Sequence, residues 1–209
     1  MKKCKILWAV MCISFFYEGN TQSEPEKPVF EAVMFQDGSK IYVQRGLPIY
    51  LSVSTTKDGK GFNLETPANP QDGNPMFLDT EGVNYFRSKW AIDKEKQTYH
   101  DPKREILFPI YADGIAPKTK IFFKGSPEYI EGQNTYYGKN LKFILSVKEY
   151  VSGLSKSFFS EDGQYVEFSE EKSSLNVEGA RKLFFFSVDN VGNTELTRST
   201  QFTIDLTPP

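Results

Sequence analysis

The side chains best suited to chemistry lie in an acidic and amide-rich stretch near the end of the chain. Asp189, Asn193 and Glu195 fall close together, and Asp205 follows shortly before the final prolines. Carboxylate and amide oxygens are the hard donors that calcium prefers in proteins. These four residues are therefore candidate calcium ligands, and we expect no other cofactor.

The same stretch has a second interpretation that needs no ligand. Asp and Asn side chains bond to nearby backbone N–H groups and glycine adopts positive φ, so residues 189–193 also predict a hairpin turn. Their spacing differs from the regular ligand spacing of a calcium-binding loop. Asp113 and Asp205 each precede a proline by a few positions, where they could instead bind an ion between two units.

Nothing in the sequence predicts a catalytic centre. His100 is the only histidine, and its neighbours Tyr99, Asp101 and Pro102 are typical of a solvated loop. No serine lies in the Gly-x-Ser-x-Gly context of a hydrolase nucleophile. We therefore expect that the protein is not an enzyme and has no catalytic residues.

Composition and charge narrow the choice of partners. The 209 residues include 25 Lys and Arg against 27 Asp and Glu, a formal net charge of −2. Nucleic-acid binding needs a strongly basic face, so we expect no nucleic-acid partner. Aromatic residues make up 15% of the chain, which favours β-structure.

The first 23 residues have the pattern of a secretory signal peptide. Three lysines precede an apolar run over residues 6–17, and a polar stretch over 18–23 follows. The run is shorter than the roughly 20 residues that a helix needs to span a bilayer. We predict cleavage near residue 23, which removes both cysteines, Cys4 and Cys12, and changes the net charge from −2 to −4. The alternative is a lipid anchor on Cys12.

The rest of the chain consists of two similar stretches. Five segments of the first stretch match segments of the second in the same order, at offsets between 94 and 97 residues. The pairs are 37–42 with 131–136, 47–53 with 141–147, 78–82 with 175–179, 90–93 with 186–189, and 108–110 with 202–204. This pattern indicates a duplication, with unit boundaries at 24–117 and 118–209.

The periodicity within each stretch predicts short β-strands. Apolar residues alternate with others over 49–53, 143–147 and 202–206, and residues 183–188 form a continuous apolar run. Turn dipeptides such as Asp162-Gly163 separate these runs. We predict an all-β fold of two tandem immunoglobulin-like β-sandwich domains after a cleavable signal peptide.

Particular segments resemble a known family. Residues 188–195, Val-Asp-Asn-Val-Gly-Asn-Thr-Glu, and 202–209, Phe-Thr-Ile-Asp-Leu-Thr-Pro-Pro, resemble the closing half of bacterial immunoglobulin-like surface repeats. With Val151-Ser152-Gly153, Asp162-Gly163 and Val177-Glu178-Gly179, they are similar to repeats of a leptospiral outer-membrane surface-protein family, often described as a β-barrel type.

The resemblance covers residues 119–209 specifically and residues 28–117 more weakly. In the first unit, residues 93–97 (Asp-Lys-Glu-Lys-Gln) stand where the Gly-Asn turn is expected. The resemblance implies export to the envelope and, for some members, binding of host matrix proteins. It defines no binding residues.

The family's barrel description is an alternative fold. A transmembrane barrel needs strands of about ten residues that alternate lipid-facing and lumen-facing side chains. The predicted strands are shorter, several are apolar on both faces, and each repeat ends at a proline, Pro117 or Pro209. These features favour two linked sandwiches over an outer-membrane β-barrel.

Aromatic residues and one long loop could carry binding. Trp90, the only tryptophan after the signal peptide, is either a sandwich core residue or a platform for carbohydrate. Tyr136 and Tyr137 suit carbohydrate stacking as well. The loop over residues 57–74 is of the kind that carries binding in sandwich proteins, or it has no role.

Together these observations predict an exported, non-catalytic protein of the outer membrane, cell surface or periplasm. The expected function is binding or adhesion, with extracellular-matrix protein as the partner that the resemblance suggests. The alternatives are a carbohydrate-binding or accessory module of a secreted glycosidase system and an outer-membrane β-barrel.

Overall fold

The computed structural model describes residues 23–50, 52–56, 59, 61–63, 76–88, 92–93, 98–99 and 106–207. Trp90, His100, the predicted signal peptide up to residue 22 and most of the loop 57–74 lie outside these ranges. Within them the chain is all-β, without an α-helix and with one 3-10 turn, Glu170–Lys172, so the predicted all-β class is confirmed. The described residues also contain no helix long and apolar enough to cross a membrane.

The strands occur throughout the described ranges and most are short. In chain order they are β1 (Met34–Asp37), β2 (Lys40–Gln44), β3 (Ser52–Val53), β4 (Phe62–Asn63), β5 (Gly82–Ser88), β6 (Ile92–Asp93), β7 (Thr98–Tyr99), β8 (Ile106–Asp113), β9 (Lys118–Lys124), β10 (Glu128–Glu131), β11 (Asn134–Tyr137), β12 (Leu141–Lys148), β13 (Leu154–Ser160), β14 (Val166–Glu167), β15 (Ser174–Leu175), β16 (Gly179–Asp189) and β17 (Arg198–Ile204).

These strands form several separate sheets. The first half contains a four-stranded sheet in the order β1-β2-β8-β5 and the two-stranded pairs β3-β4 and β6-β7. The second half contains a six-stranded sheet in the order β10-β11-β17-β16-β13-β14 and a three-stranded sheet in the order β15-β12-β9. This arrangement is compatible with β-sandwich packing.

The hydrophobic core of the second half is built by both of its sheets. In β12, Leu141, Phe143 and Leu145 are buried, whereas the alternate positions Lys142, Ile144 and Ser146 are exposed or partly exposed, as the period of two requires. The core side chains of the two sheets are Tyr137, Leu141, Phe143, Leu145, Phe159, Leu175, Leu183, Phe185, Phe202 and Ile204. The predicted alternation over 143–147 therefore lies in a strand that faces the core.

Strand β16 is buried on both faces, which explains its continuous apolar run. Its inner face contributes Phe185 to the core. On its outer face, Phe186 stacks on Phe158 with ring centroids 5.1 Å apart, and Phe30 packs edge-on against Phe186 at 6.3 Å. The Lys27 ammonium group lies 4.2 Å from the Phe186 ring centroid. Residues that precede the first strand thus cover a sheet of the second half.

The two halves share a strand order. In the first half, the β1–β2 hairpin adds to β8 in parallel, with Tyr42 opposite Tyr111. In the second half, the β10–β11 hairpin adds to β17 in parallel, with Tyr136 opposite Thr203. In each case the parallel strand then pairs with an antiparallel neighbour, β5 or β16. The corresponding strands of the two halves follow one another along the chain in the same order as the matched sequence segments.

Replacing the core residue Phe143 with alanine tests the packing of the second half. Phe143 is completely buried, so Phe143→Ala should lower the free energy of unfolding by about 3–5 kcal/mol. Phe122→Ala is the matched control, because Phe122 lies in the same three-stranded sheet with 54% of its surface exposed, and it should cost less than about 1 kcal/mol. Urea unfolding measures both. Equal losses would contradict this description of the core.

Candidate functional site

A cluster of buried polar groups lies where the first half of the chain meets the second. Strand β8 ends at Asp113, which is completely buried. Around it lie the β12–β13 loop and the β16–β17 turn, both from the second half. We call this set of contacts the junction. It brings together residues that are about 40 and 80 positions apart in sequence.

Three carboxylates lie together in the junction. Asp113, Glu149 and Asp189 each place one oxygen within 4.8 Å of the others. Asp113 and Asp189 are buried, and Glu149 is partly exposed. These oxygens are of the type that binds a divalent cation such as calcium.

Backbone N–H groups of the β12–β13 loop stabilise two of these carboxylates. Val151 and Gly153 donate N–H bonds to the Glu149 carboxylate, at 2.9 and 2.5 Å. Ser152, between them, donates its N–H to Asp113 Oδ2 at 3.0 Å. Three successive amides therefore point at negative charge, which explains how this loop holds its shape beside a buried aspartate.

The β16–β17 turn has both features that its sequence predicted. Asp189 Oδ1 accepts the N–H groups of Val191, at 3.0 Å, and of Asn193, at 2.8 Å. Gly192 has a φ of +93°, a conformation that favours glycine. A side chain at Gly192 would also collide with the backbone carbonyl of Glu31, so the turn requires glycine for a second, steric reason.

The side chain of Asn193 links the two halves of the chain. Its Nδ2 donates to the Asp113 carbonyl oxygen at 3.1 Å and to Asp189 Oδ2 at 2.8 Å. Its Oδ1 accepts a hydrogen bond from Gln44 Nε2 at 3.1 Å. One buried amide therefore joins β2, the end of β8 and the β16–β17 turn.

The surroundings of Asp189 in the junction disfavour its ionised form. Burial raises the pKa of Asp189 to about 6, and the nearby charge of Asp113 also raises this pKa. Hydrogen bonds from Asn193 and Val191 act in the opposite direction and lower it. Among the described residues, no lysine or arginine forms an ion pair with Asp113, Glu149 or Asp189.

The structure divides the predicted calcium ligands between different sites. Asp189 belongs to the carboxylate cluster, together with Asp113, and Asn193 contributes its side chain to the surrounding bonds. Glu195 and Asp205 are not members of the cluster. Glu149 was not among the predicted ligands, because it is distant in sequence from both aspartates and has no local motif around it.

Glu195 has a different role at the same end of the second half. Its carboxylate accepts the backbone N–H of Thr119 at 2.9 Å and pairs with Arg198 Nε at 3.0 Å. The Thr119 hydroxyl lies 2.7 Å from the Ser187 hydroxyl, which in turn lies 2.8 Å from that of Ser157. At this end of the second half, buried polar groups that hydrogen-bond to one another take the place of apolar packing.

A second candidate feature is a cleft beside the β10–β11 hairpin. The cleft has a volume of about 410 Å³ and is lined by Tyr129, Tyr136, Glu131 and Asp205, among others. Tyr129 is 64% exposed, and its ring centroid lies 6.2 Å from that of Tyr136. Asp205 Oδ1 accepts the N–H of Thr207. Aromatic faces beside carboxylates can stack on a sugar ring and accept hydrogen bonds from its hydroxyls.

Comparisons of the chain with protein-family models, with curated proteins and with solved structures find no match. A fold alone does not specify a function, so the junction and the cleft are the features that bear on what the protein does.

Replacing Asn193 with alanine tests the junction. Asn193→Ala removes the partner of Gln44 Nε2, of the Asp113 carbonyl and of Asp189 Oδ2, so the free energy of unfolding should fall by about 2–4 kcal/mol. Asn176→Ala is the control, because Asn176 is exposed, and its effect should stay within about 0.5 kcal/mol. Denaturant titration compares the two variants. A loss below 1 kcal/mol for Asn193→Ala would show that these bonds do not join the halves.

Proposed function

We propose that this chain is an exported, non-catalytic protein of the cell envelope or cell surface that binds a partner. In this proposal, two immunoglobulin-like units follow a cleavable signal peptide. The observation that carries the proposal is the bonding of Asn193 to groups from both halves of the chain, which makes the tandem a firm scaffold for a binding surface. The non-catalytic role rests on the sequence, which has one histidine and no hydrolase nucleophile motif.

Contacts from the start of the described chain support a firm connection between the halves. The N–H of Val33 donates to the carbonyl oxygen of Val191 at 3.0 Å. Phe30 packs against Phe158 with ring centroids 5.4 Å apart, and Lys27 Nζ donates to the backbone carbonyl of Glu195. A scaffold held at several points loses little conformational entropy when it binds, which favours affinity.

The β10–β11 hairpin is the surface best suited to contact a partner. All four residues of β10 are exposed, and β10 is an edge strand of the six-stranded sheet. Tyr129 and Ile130 are each 64% exposed. Exposed large apolar side chains on an edge strand are typical of an interaction surface. A partner can bury the apolar area and pair with the free backbone groups of the strand.

The partner that the family resemblance suggests is an extracellular-matrix protein. Aromatic residues such as Tyr129 would supply contact area in such an interface. The second candidate is a carbohydrate, and the cleft favours it specifically, because Tyr129 and Tyr136 lie beside Glu131. Both candidate partners would contact overlapping residues. Mutating these residues therefore cannot distinguish the two candidates, and binding must be measured with each ligand.

Substitution of the two cleft tyrosines tests the binding surface. The full chain is applied to immobilised matrix proteins and to insoluble polysaccharides. Tyr129→Ala together with Tyr136→Ala should weaken binding to whichever ligand is retained by about tenfold or more, because both rings lose their contact area. Tyr150→Ala, at another exposed tyrosine, should bind like wild type. Absence of binding to either ligand class, or equal binding by all variants, would argue against the proposal.

Export is tested in cells of the source organism. The mature protein should begin within a few residues of Glu24, as determined by N-terminal sequencing, because the signal pattern ends near residue 23. Protease treatment of intact cells should then degrade a surface-exposed protein but spare a periplasmic one. A chain that keeps Met1 and stays in the cytoplasmic fraction would contradict export.

A further inference from the structure

The geometry points to a divalent-cation site of the calcium class in the junction, formed by Asp113, Glu149 and Asp189. The site lies away from the cleft, and the inference does not depend on which partner the cleft binds. Of the residues that the sequence suggested for an ion, the site keeps Asp113 and Asp189. It adds Glu149 and leaves out Asn193, Glu195 and Asp205.

The cluster concentrates negative charge in a small, mostly buried volume. Three carboxylates lie with oxygens within 4.8 Å of one another, and two of the three are buried. No described lysine or arginine forms an ion pair with them. Backbone amides supply only partial positive charge, so repulsion among ionised carboxylates is reduced but not cancelled. A bound divalent cation would cancel it.

The Ser152 hydroxyl independently indicates a missing ligand. This residue is only 5% exposed, and its Oγ is buried without a hydrogen-bond partner. Its own N–H bonds to Asp113 Oδ2 at 3.0 Å, and bonded geometry keeps Oγ within about 4 Å of that nitrogen. Ser152 Oγ therefore lies within about 7 Å of Asp113 Oδ2. A buried hydroxyl without a partner is costly, and a cation or its coordinated water would satisfy it.

The donor set has the capacity to bind a cation. Each carboxylate oxygen has two lone pairs, so an oxygen of Asp113, Glu149 or Asp189 that already accepts an N–H bond can still coordinate a metal. Calcium takes six to eight oxygen ligands at about 2.3–2.6 Å, and ligands on opposite sides of the ion are then about 4.6–5.2 Å apart. The three carboxylate oxygens all lie within 4.8 Å of one another, which is close enough for one calcium ion to contact all three. Magnesium demands near-ideal octahedral geometry and loses its waters reluctantly, so a site made mostly of protein oxygens favours calcium.

The origin of the three ligands gives the cation a structural role. Asp113 ends β8 of the first half, whereas Glu149 follows β12 and Asp189 ends β16 in the second half. An ion held by all three ties the halves together at the same place as Asn193. Glu149 is partly exposed, so the ion and its waters have a route to solvent.

The test is titration of the metal-free full chain with CaCl₂ and, in parallel, with MgCl₂, up to about 10 mM, which covers the affinity range of extracellular calcium modules. Calorimetry should show one calcium per chain and weaker or no magnesium binding. Asp113→Asn and Glu149→Gln should each weaken calcium binding at least tenfold. Asp162→Asn, in an exposed turn, is the matched control and should bind like wild type.

If a variant does not fold, amide hydrogen exchange of the wild-type chain with and without calcium tests the site instead. Calcium should slow backbone amide exchange in residues 149–153 and 189–193 selectively, because both segments hold ligands. Absence of calcium binding at about 10 mM would overturn the inference. Binding that survives in the folded cluster variants, or that protects other segments and not these two, would also overturn it.

Discussion

The side-chain amide of Asn193 is the interaction on which the rest of the arrangement depends. A buried primary amide has two donors and an acceptor to satisfy, and here they meet the Asp113 carbonyl, Asp189 Oδ2 and Gln44 Nε2. Because these partners come from three different strands, satisfying one side chain fixes the relative position of both halves. The cost of leaving any of the partners unpaired in a buried site makes the arrangement specific.

The interior of the second half is apolar in most places and polar at one end. Along most of its length, aromatic and aliphatic side chains such as Phe143 fill the space between its sheets. Towards the first half, the hydroxyls of Thr119 and Ser187 and the carboxylate of Glu195 replace them. Apolar packing supplies stability without fixing orientation, whereas hydrogen bonds have defined geometry, so the polar end is suited to orient a neighbouring unit.

Sequence reasoning reached the features whose signals are local. The alternation over 143–147 and the apolar run over 183–188 lie in strands, and the turn at 189–193 makes the bonds expected of its Asp, Gly and Asn residues. Glu149 was not identified, because its neighbours in the cluster are contributed by distant strands. The packing of Phe30 on β16 was not predicted either, because an apolar run does not reveal which segment covers its second face.

The central claim is that the two halves behave as one body in solution. Backbone ¹⁵N relaxation of the full chain measures this most directly, because it gives a rotational correlation time for the amides of each half separately. A firm junction predicts one common correlation time for amides in β1, β2, β5 and β8 and for those in β9–β17. Two different correlation times, each close to that of an isolated unit, would contradict the account.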